Sequence, residues 1–212
     1  GVLYSHRSTV IHALAASLGD VIGLRSRDCV LPVVPMFHVN AWGIPFIAPM
    51  AGSKLVLPGL KAGDPATLCE LFNSEQVTVA LGVPTVWLAL LQHLARTGER
   101  LSTLERTVVG GSACPVTIMD EFLDQHGVMT HHAWGMTETS PLGTFYAPKA
   151  GHETLAPEVQ RAIRAKQGRS VYGVEMRIVG DGGRILPWDG LTFCALQVRG
   201  PFIASAYFGL SV

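Results

Sequence analysis

The sequence predicts an α/β domain built on a mostly parallel sheet, followed by a smaller β-rich part. Short apolar runs such as Cys29–Val34, bounded by turn residues, have the length of buried strands. They alternate with longer stretches whose apolar residues recur at helical spacing, the pattern of strand–helix–strand units. Nearly half of the 212 residues are hydrophobic and only 15% are charged, which excludes disorder as the main state and supplies one large core or most of one.

Each element follows from local signals. Ser8–Gly23 places Val10, Ile11, Leu14, Leu18, Val21 and Ile22 near helical spacing. Cys29–Val34 is a strand ending at Pro35, and Asn40–Met50 reads as a buried helix. Lys54–Leu57 is a short strand. Asp64-Pro65 is a helix start, and the helix runs to Ser74 with Leu68, Leu71 and Phe72 on one side. Val77–Leu81 is a strand, and Pro84 opens a helix stopped near Ala95 by Arg96-Thr97-Gly98. Thr107–Val109 is a strand running into Gly110-Gly111, Val116–Gln125 a helix, and Val128–His132 a strand. Residues 142–170 read as loop with one helix near Pro157–Lys166. Val174–Val179 and Thr192–Val198 are strands around the turn Gly180–Gly183. The expected organisation is an α/β unit over 1–141, a connection over 142–170 and the start of a β-rich subdomain over 171–212.

Composition excludes several functions. Lys plus Arg equals Asp plus Glu at 16 each, so nothing marks a nucleic-acid partner. The most apolar stretch, Val39–Val56, is interrupted by Asn40, Gly43, Pro45, Pro49, Gly52, Ser53 and Lys54, so no transmembrane segment is expected. Cys29, Cys69, Cys114 and Cys194 form no CxxC or Cys/His spacing, which supports neither a zinc site nor a disulfide framework and favours a reducing, cytoplasmic location. The basic run Arg161, Arg164, Lys166 and Arg169 reads as a solvated face, with contact to a phosphate group or a membrane surface left open.

Three segments carry candidate chemistry. Trp134-Gly135-Met136-Thr137-Glu138-Thr139-Ser140-Pro141 comes after a strand, where open α/β sheets bind ligands. An aromatic ring there can stack on a base, a glycine lets backbone approach, a Thr hydroxyl can reach a phosphate, and a Glu can hold Mg2+. The same residues also read as a polar loop with a capping Thr. Val109-Gly110-Gly111-Ser112-Ala113-Cys114-Pro115 leaves backbone groups open before a helix, or is simply a tight strand-to-helix turn. Pro35-Met36-Phe37-His38-Val39-Asn40-Ala41-Trp42-Gly43 sets a lone His among aromatics, the usual setting of a packed core histidine.

Taken together and in this order, these segments, with Leu186–Gly190 and Leu196–Pro201, resemble the adenylate-forming (AMP-binding) superfamily. Pro35–Trp42 in particular is similar to long- and medium-chain fatty acyl-CoA synthetases. The resemblance implies part of the large N-terminal domain of such an enzyme. It implies activation of a fatty acid by ATP to an acyl-adenylate and transfer to CoA, with Mg2+. It implies that Trp134 packs on adenine, aided by Ala133, Gly135 and Met136 and by the turn Gly110, Gly111, Ser112, Ala113, Cys114 and Pro115. Thr137 contacts the phosphate, Glu138 holds the metal, His38 lies near the reacting carboxylate, and His38, Val39 and Trp42 gate the acyl tunnel. The family usually has Tyr at Trp134, Gln-Gly at His132-Ala133, and Gly followed by an acidic residue at Cys194-Ala195. The Ala133 methyl narrows or redirects the acyl pocket in this reading. The opening Gly1–His6 is similar to the segment just after the family's phosphate loop. That loop, a Thr-Gly-Asp ribose segment and the small domain with the adenylation Lys are therefore expected outside these residues, and this stretch alone is expected to be inactive. A homodimer and peripheral membrane contact stay open. So do two other readings: a non-catalytic adenylate- or acyl-binding module, and an adenylation domain for another acid. The His38–Trp42 segment argues against an amino acid, whose amine needs a polar anchor.

Overall fold

Ser5 starts the first helix: its hydroxyl accepts the Ser8 N–H at 3.0 Å, capping α1 (His6–Ala16). The computed structural model describes residues 1–210, with the side chain of Asn40 excepted; Ser211 and Val212, at the end of the expected β-rich part, lie outside the described residues. α1 stops seven residues short of the predicted Gly23, because the backbone N–H groups of Ile22 and Gly23 fold back onto the Ala16 carbonyl at 3.1 and 3.3 Å.

β1 (Cys29–Pro32) leads to a helical turn, α2 (Val39–Trp42), and then α3 (Ile44–Ala51). The expected continuous helix over Asn40–Met50 is therefore broken. Gly43 sits at φ +80°, and a Cβ there would come within 2.8 Å of the His12 ring. Pro45, favoured in the first turn of a helix, marks the new start. β2 (Lys54–Leu55) precedes α4 (Pro65–Ser74), capped by the Asp64 carboxylate on Thr67 N–H at 2.9 Å. β3 (Val79–Gly82), α5 (Pro84–Thr97), β4 (Arg106–Val109), α6 (Val116–His126) and β5 (Met129–Gly135) continue the alternation.

The far side of the main sheet also differs from expectation. β5 runs three residues past its predicted end, so Trp134 and Gly135 are strand residues rather than loop. Residues expected as loop form β6 (Leu142–Phe145), which pairs antiparallel with β5. After α7 (Pro157–Arg164), β7 (Arg169–Ser170) closes the sheet edge. β8 (Glu175–Val179), β9 (Ile185–Leu186) and β10 (Ala195–Arg199) then make a separate antiparallel sheet in the order β10-β8-β9.

The main sheet has the order β2-β1-β3-β4-β5-β6-β7, parallel through β5 and antiparallel beyond it. Side chains alternate between faces along each strand. Val30, Val79, Leu81 and Val108 pack with Ala13, Ala16, Ile44 and Ile47 of α1 and α3. Leu31, Ala80 and Val109 pack with Leu68, Phe72, Trp87, Leu90 and Phe122 of α4, α5 and α6. Both faces are covered, which is why β1 and β3 are apolar and buried without alternation. Among the described residues no helix is long and apolar enough to cross a membrane. All four cysteines are free, and only Cys194 is exposed.

Candidate functional site

The parallel strands deliver their carboxyl ends to one place. Leu81 near the end of β3, Val108 and the Gly110-Gly111 turn after β4, and Ala133–Gly135 of β5 wall a cavity of about 280 Å3. Binding at the carboxyl edge is the rule for open α/β sheets. The polar rim is the segment between β5 and β6. It is a 3-10 turn, Thr137–Thr139, followed by a cis Ser140–Pro141 peptide. Met136 N–H donates to the Pro141 carbonyl at 3.0 Å, and the Thr139 hydroxyl donates to the same oxygen. Pro141 is thereby folded onto Gly135, where a Cβ would lie 1.7 Å from its carbonyl oxygen. Only glycine fits there.

His38, Val39, Trp42, Gly110, Gly111, Ala133, Trp134, Gly135, Met136, Thr137 and Glu138 all face this cavity. Segments far apart in the chain thus meet. The Trp42 indole lies against the glycine turn, 3.4 Å from where a Gly110 Cβ would stand. The Trp134 ring lies over Gly143 of β6, whose Cβ would come within 2.5 Å of it. Ser112, Ala113, Cys114 and Pro115 are not among the lining residues. Cys114 is instead buried, with its N–H donating to His132 Nε2 at 3.3 Å. His132 Nδ1 lies 3.0 Å from the Ala165 carbonyl. An acceptor at one ring nitrogen and a donor at the other fit a neutral imidazole, and burial pushes its pKa down. His132 therefore ties the start of α6 to β5.

Neither the apolar wall nor two anchoring tyrosines were legible in the sequence. Ile22, Leu81, Val108, Pro141 and Leu142 complete the lining. The Tyr207 hydroxyl donates to Glu138 Oε1 at 2.5 Å, and the Tyr4 hydroxyl donates to the Thr137 carbonyl at 2.7 Å. The Glu138 carbonyl accepts the Ala204 N–H at 2.7 Å. The hydrogen bond to Glu138 raises the Tyr207 pKa; burial, then the Glu138 charge, raises that of Tyr4. The two phenols lie far apart in sequence, in segments joined by the Val2–Tyr207 bridge. No spacing rule links them to the rim.

Two other readings change. Arg161 and Arg164 are not a free basic face: both bind Asp120 of α6, at 2.7 and 2.9 Å. The spacing of the cysteines showed no Cys/His cluster, yet the fold brings Cys69, His93 and Glu99 together with ligand atoms within 4.8 Å of one another.

The AMP-binding enzyme family matches residues 1–208. The chain belongs to the AMP-binding enzyme family. Among curated members it is 51% identical to a 3-methylmercaptopropionyl-CoA ligase of Ruegeria lacuscaerulensis, over 99% of this chain and 39% of that protein. It is 52% identical to a medium-chain-fatty-acid–CoA ligase of Ectopseudomonas oleovorans, over 98% of this chain and 38% of that protein. The chain thus spans about two fifths of the length of these AMP-binding relatives. The crystal structure of a long-chain-fatty-acid–CoA ligase from Archaeoglobus fulgidus superposes with a TM-score of 0.83 at 20% identity, covering 99% of this chain and 41% of that one. At that identity the likeness establishes the fold of the AMP-binding domain.

Proposed function

We propose that the full-length protein activates a medium- or long-chain fatty acid with ATP and passes the acyl group to CoA. The supporting observation is that one cavity joins a stackable indole (Trp134), a glycine turn (Gly110-Gly111), a hydroxyl–carboxylate pair (Thr137, Glu138) and an apolar wall with Trp42. In the first step an acid oxygen attacks the α-phosphorus and pyrophosphate leaves. In the second the CoA thiol attacks the acyl carbon, the thiol proton is lost, and AMP departs. Such chemistry is driven by positioning and by stabilising charge on phosphoryl oxygens.

In this reading Trp134 and the glycine turn hold adenine, and the Thr137 hydroxyl donates to the α-phosphate. Glu138 and Thr137 are hard oxygen donors on an open rim, a set that suits Mg2+. When bound, Mg2+ neutralises charge on the phosphates. His38, exposed at the mouth, orients the carboxylate, while Val39 and Trp42 border the acyl path. Ile22, Leu81 and Val108 give that path an apolar surface, as an alkyl chain requires. The two relatives at about equal identity act on acids of different size, so the acid is assigned on this wall. Three buried free thiols favour a reducing, cytoplasmic setting.

The test is acid-dependent ATP–pyrophosphate exchange by the full-length protein, with acids of increasing chain length. Exchange is expected with fatty acids and is expected to fall at least about a hundredfold in Glu138→Ala. Undiminished exchange in that variant removes the metal role of Glu138. No exchange with any acid in the unmodified protein leaves a binding module.

A further inference from the structure

A second cluster of ligating groups lies in the α4–α5 layer, none of whose residues lines the adenylate cavity. Cys69 projects from α4, His93 from α5, and Glu99 comes directly after the Gly98 cap of α5. Their donor atoms lie within 4.8 Å of one another, and His93 Nε2 is 2.7 Å from Glu99 Oε2. A tetrahedral Zn2+ with bonds of about 2.0–2.3 Å sets its donors about 3.3–3.8 Å apart, so the widest pair draws in by about 1.5 Å at most while the His93–Glu99 pair opens by about 0.6 Å. The exposed Glu99 supplies that freedom at the loop end.

Each donor is also braced. Asn73 Nδ2 points at Cys69 Sγ at 3.7 Å. Asn73 is itself fixed by the Arg100 carbonyl at 3.0 Å and by Ser102 N–H and hydroxyl at 3.1 and 2.9 Å. The Thr97 hydroxyl donates to Glu99 Oε2 at 3.0 Å. Hydrogen bonds of this kind orient ligands and tune a metal centre. Arg96 Nη2 is 3.4 Å from His93 Nδ1, and Arg96 is exposed, with room to leave that nitrogen.

We propose that Cys69, His93 and Glu99 form a binding site for one thiophilic divalent cation of the Zn2+ class. Thiolate, imidazole and carboxylate are the donor set that favours Zn2+ over Mg2+ or Ca2+. Three protein ligands leave the fourth position to water on the Glu99 side. Binding exchanges the Cys69 thiol proton for a sulfur–metal bond, and the proton goes to solvent. Two anions balance the dication, and the ion pins α4, α5 and the following loop to one another.

The test uses the full-length protein, reduced and stripped with a chelator, then titrated with Co2+ as a spectroscopic probe. The expected result is a thiolate-to-Co2+ charge-transfer band that saturates at a single equivalent and is bleached by Zn2+. Cys69→Ser abolishes the band, and Cys194→Ser retains it. Asn73→Ala keeps all three ligands and weakens apparent affinity about tenfold or more. Far-UV circular dichroism checks that each variant is folded. No band in the unmodified protein, or a band that survives Cys69→Ser, overturns the site whatever the variants do.

Discussion

Glu138 is positioned from two sides, by the Tyr207 hydroxyl on its carboxylate and by Ala204 on its carbonyl. Under the proposed function, Tyr207→Phe removes an orienting partner without touching the reacting atoms. The expected result is a rise of about tenfold in the Mg2+ concentration needed for half-maximal ATP–pyrophosphate exchange, with the rate at saturating Mg2+ retained. A Mg2+ titration of full-length enzyme checks it, and a fall in the saturated rate alone would contradict it. Gly135→Ala is expected to be far more damaging. Its methyl group cannot share space with the Pro141 carbonyl, so the rim must unfold from β5. Calorimetry should show nucleotide affinity lost while the far-UV circular dichroism persists. That Trp134, Thr137 and Glu138 share one cavity was legible in the sequence because they lie within one short, chemically distinctive segment. Tyr4 and Tyr207 were not legible, because two phenols so far apart in sequence carry no pattern until the fold joins them.

Most strands and helices were legible for the same reason the sheet is parallel: both faces are buried, so strands are short apolar runs between capped helices. What failed was set by contacts remote in sequence. Asn40–Met50 is apolar enough to read as one buried helix, but the His12 ring occupies the space any side chain at Gly43 would need, and the helix restarts at Ile44-Pro45. β6 reads as loop because Leu142-Gly143-Thr144-Phe145 is too short and too mixed to declare a strand. It becomes one by completing β5, with the Trp134 ring lying on Gly143. α7 was found, but its role was not. Its two arginines converge on Asp120, and Arg164 is only 15% exposed, so this is more than a surface pair. Asp120→Ala leaves that guanidinium unpaired and is expected to cost about 1–3 kcal/mol. Hydrogen exchange over residues 157–164 should accelerate, while α4 and α5 are unaffected.

At the scale of the whole molecule, acid sensitivity is built into the core. His12 is 3% exposed, packs edge-on against Phe202 at 5.5 Å, and its Nε2 makes no hydrogen bond. Burial lowers its pKa from 6.5 to about 4. Between those values the unfolded chain binds the proton and the native state does not, so stability falls as pH drops through this window and levels off below it. The full loss corresponds to about 3 kcal/mol. Urea denaturation of the full-length protein from pH 7 to pH 4 should show the midpoint declining, and His12→Leu should flatten that decline. His131 and His132, both lowered mainly by burial, act in the same direction. The reversal from parallel to antiparallel pairing at β5–β6 has a mechanical meaning too. It holds the polar rim, Met136–Pro141, at both ends in one sheet. The segment His38–Trp42, whose His38, Val39 and Trp42 also line the cavity, carries Val39, Ala41 and Trp42 at φ +48°, +46° and +57°, conformations that cost about 1–2 kcal/mol each for residues with a Cβ. Under the proposed function, the turn that already holds backbone strain is the part of the wall with most to gain by rearranging when an acyl chain enters, while the rim across β5 and β6 keeps its sheet pairing.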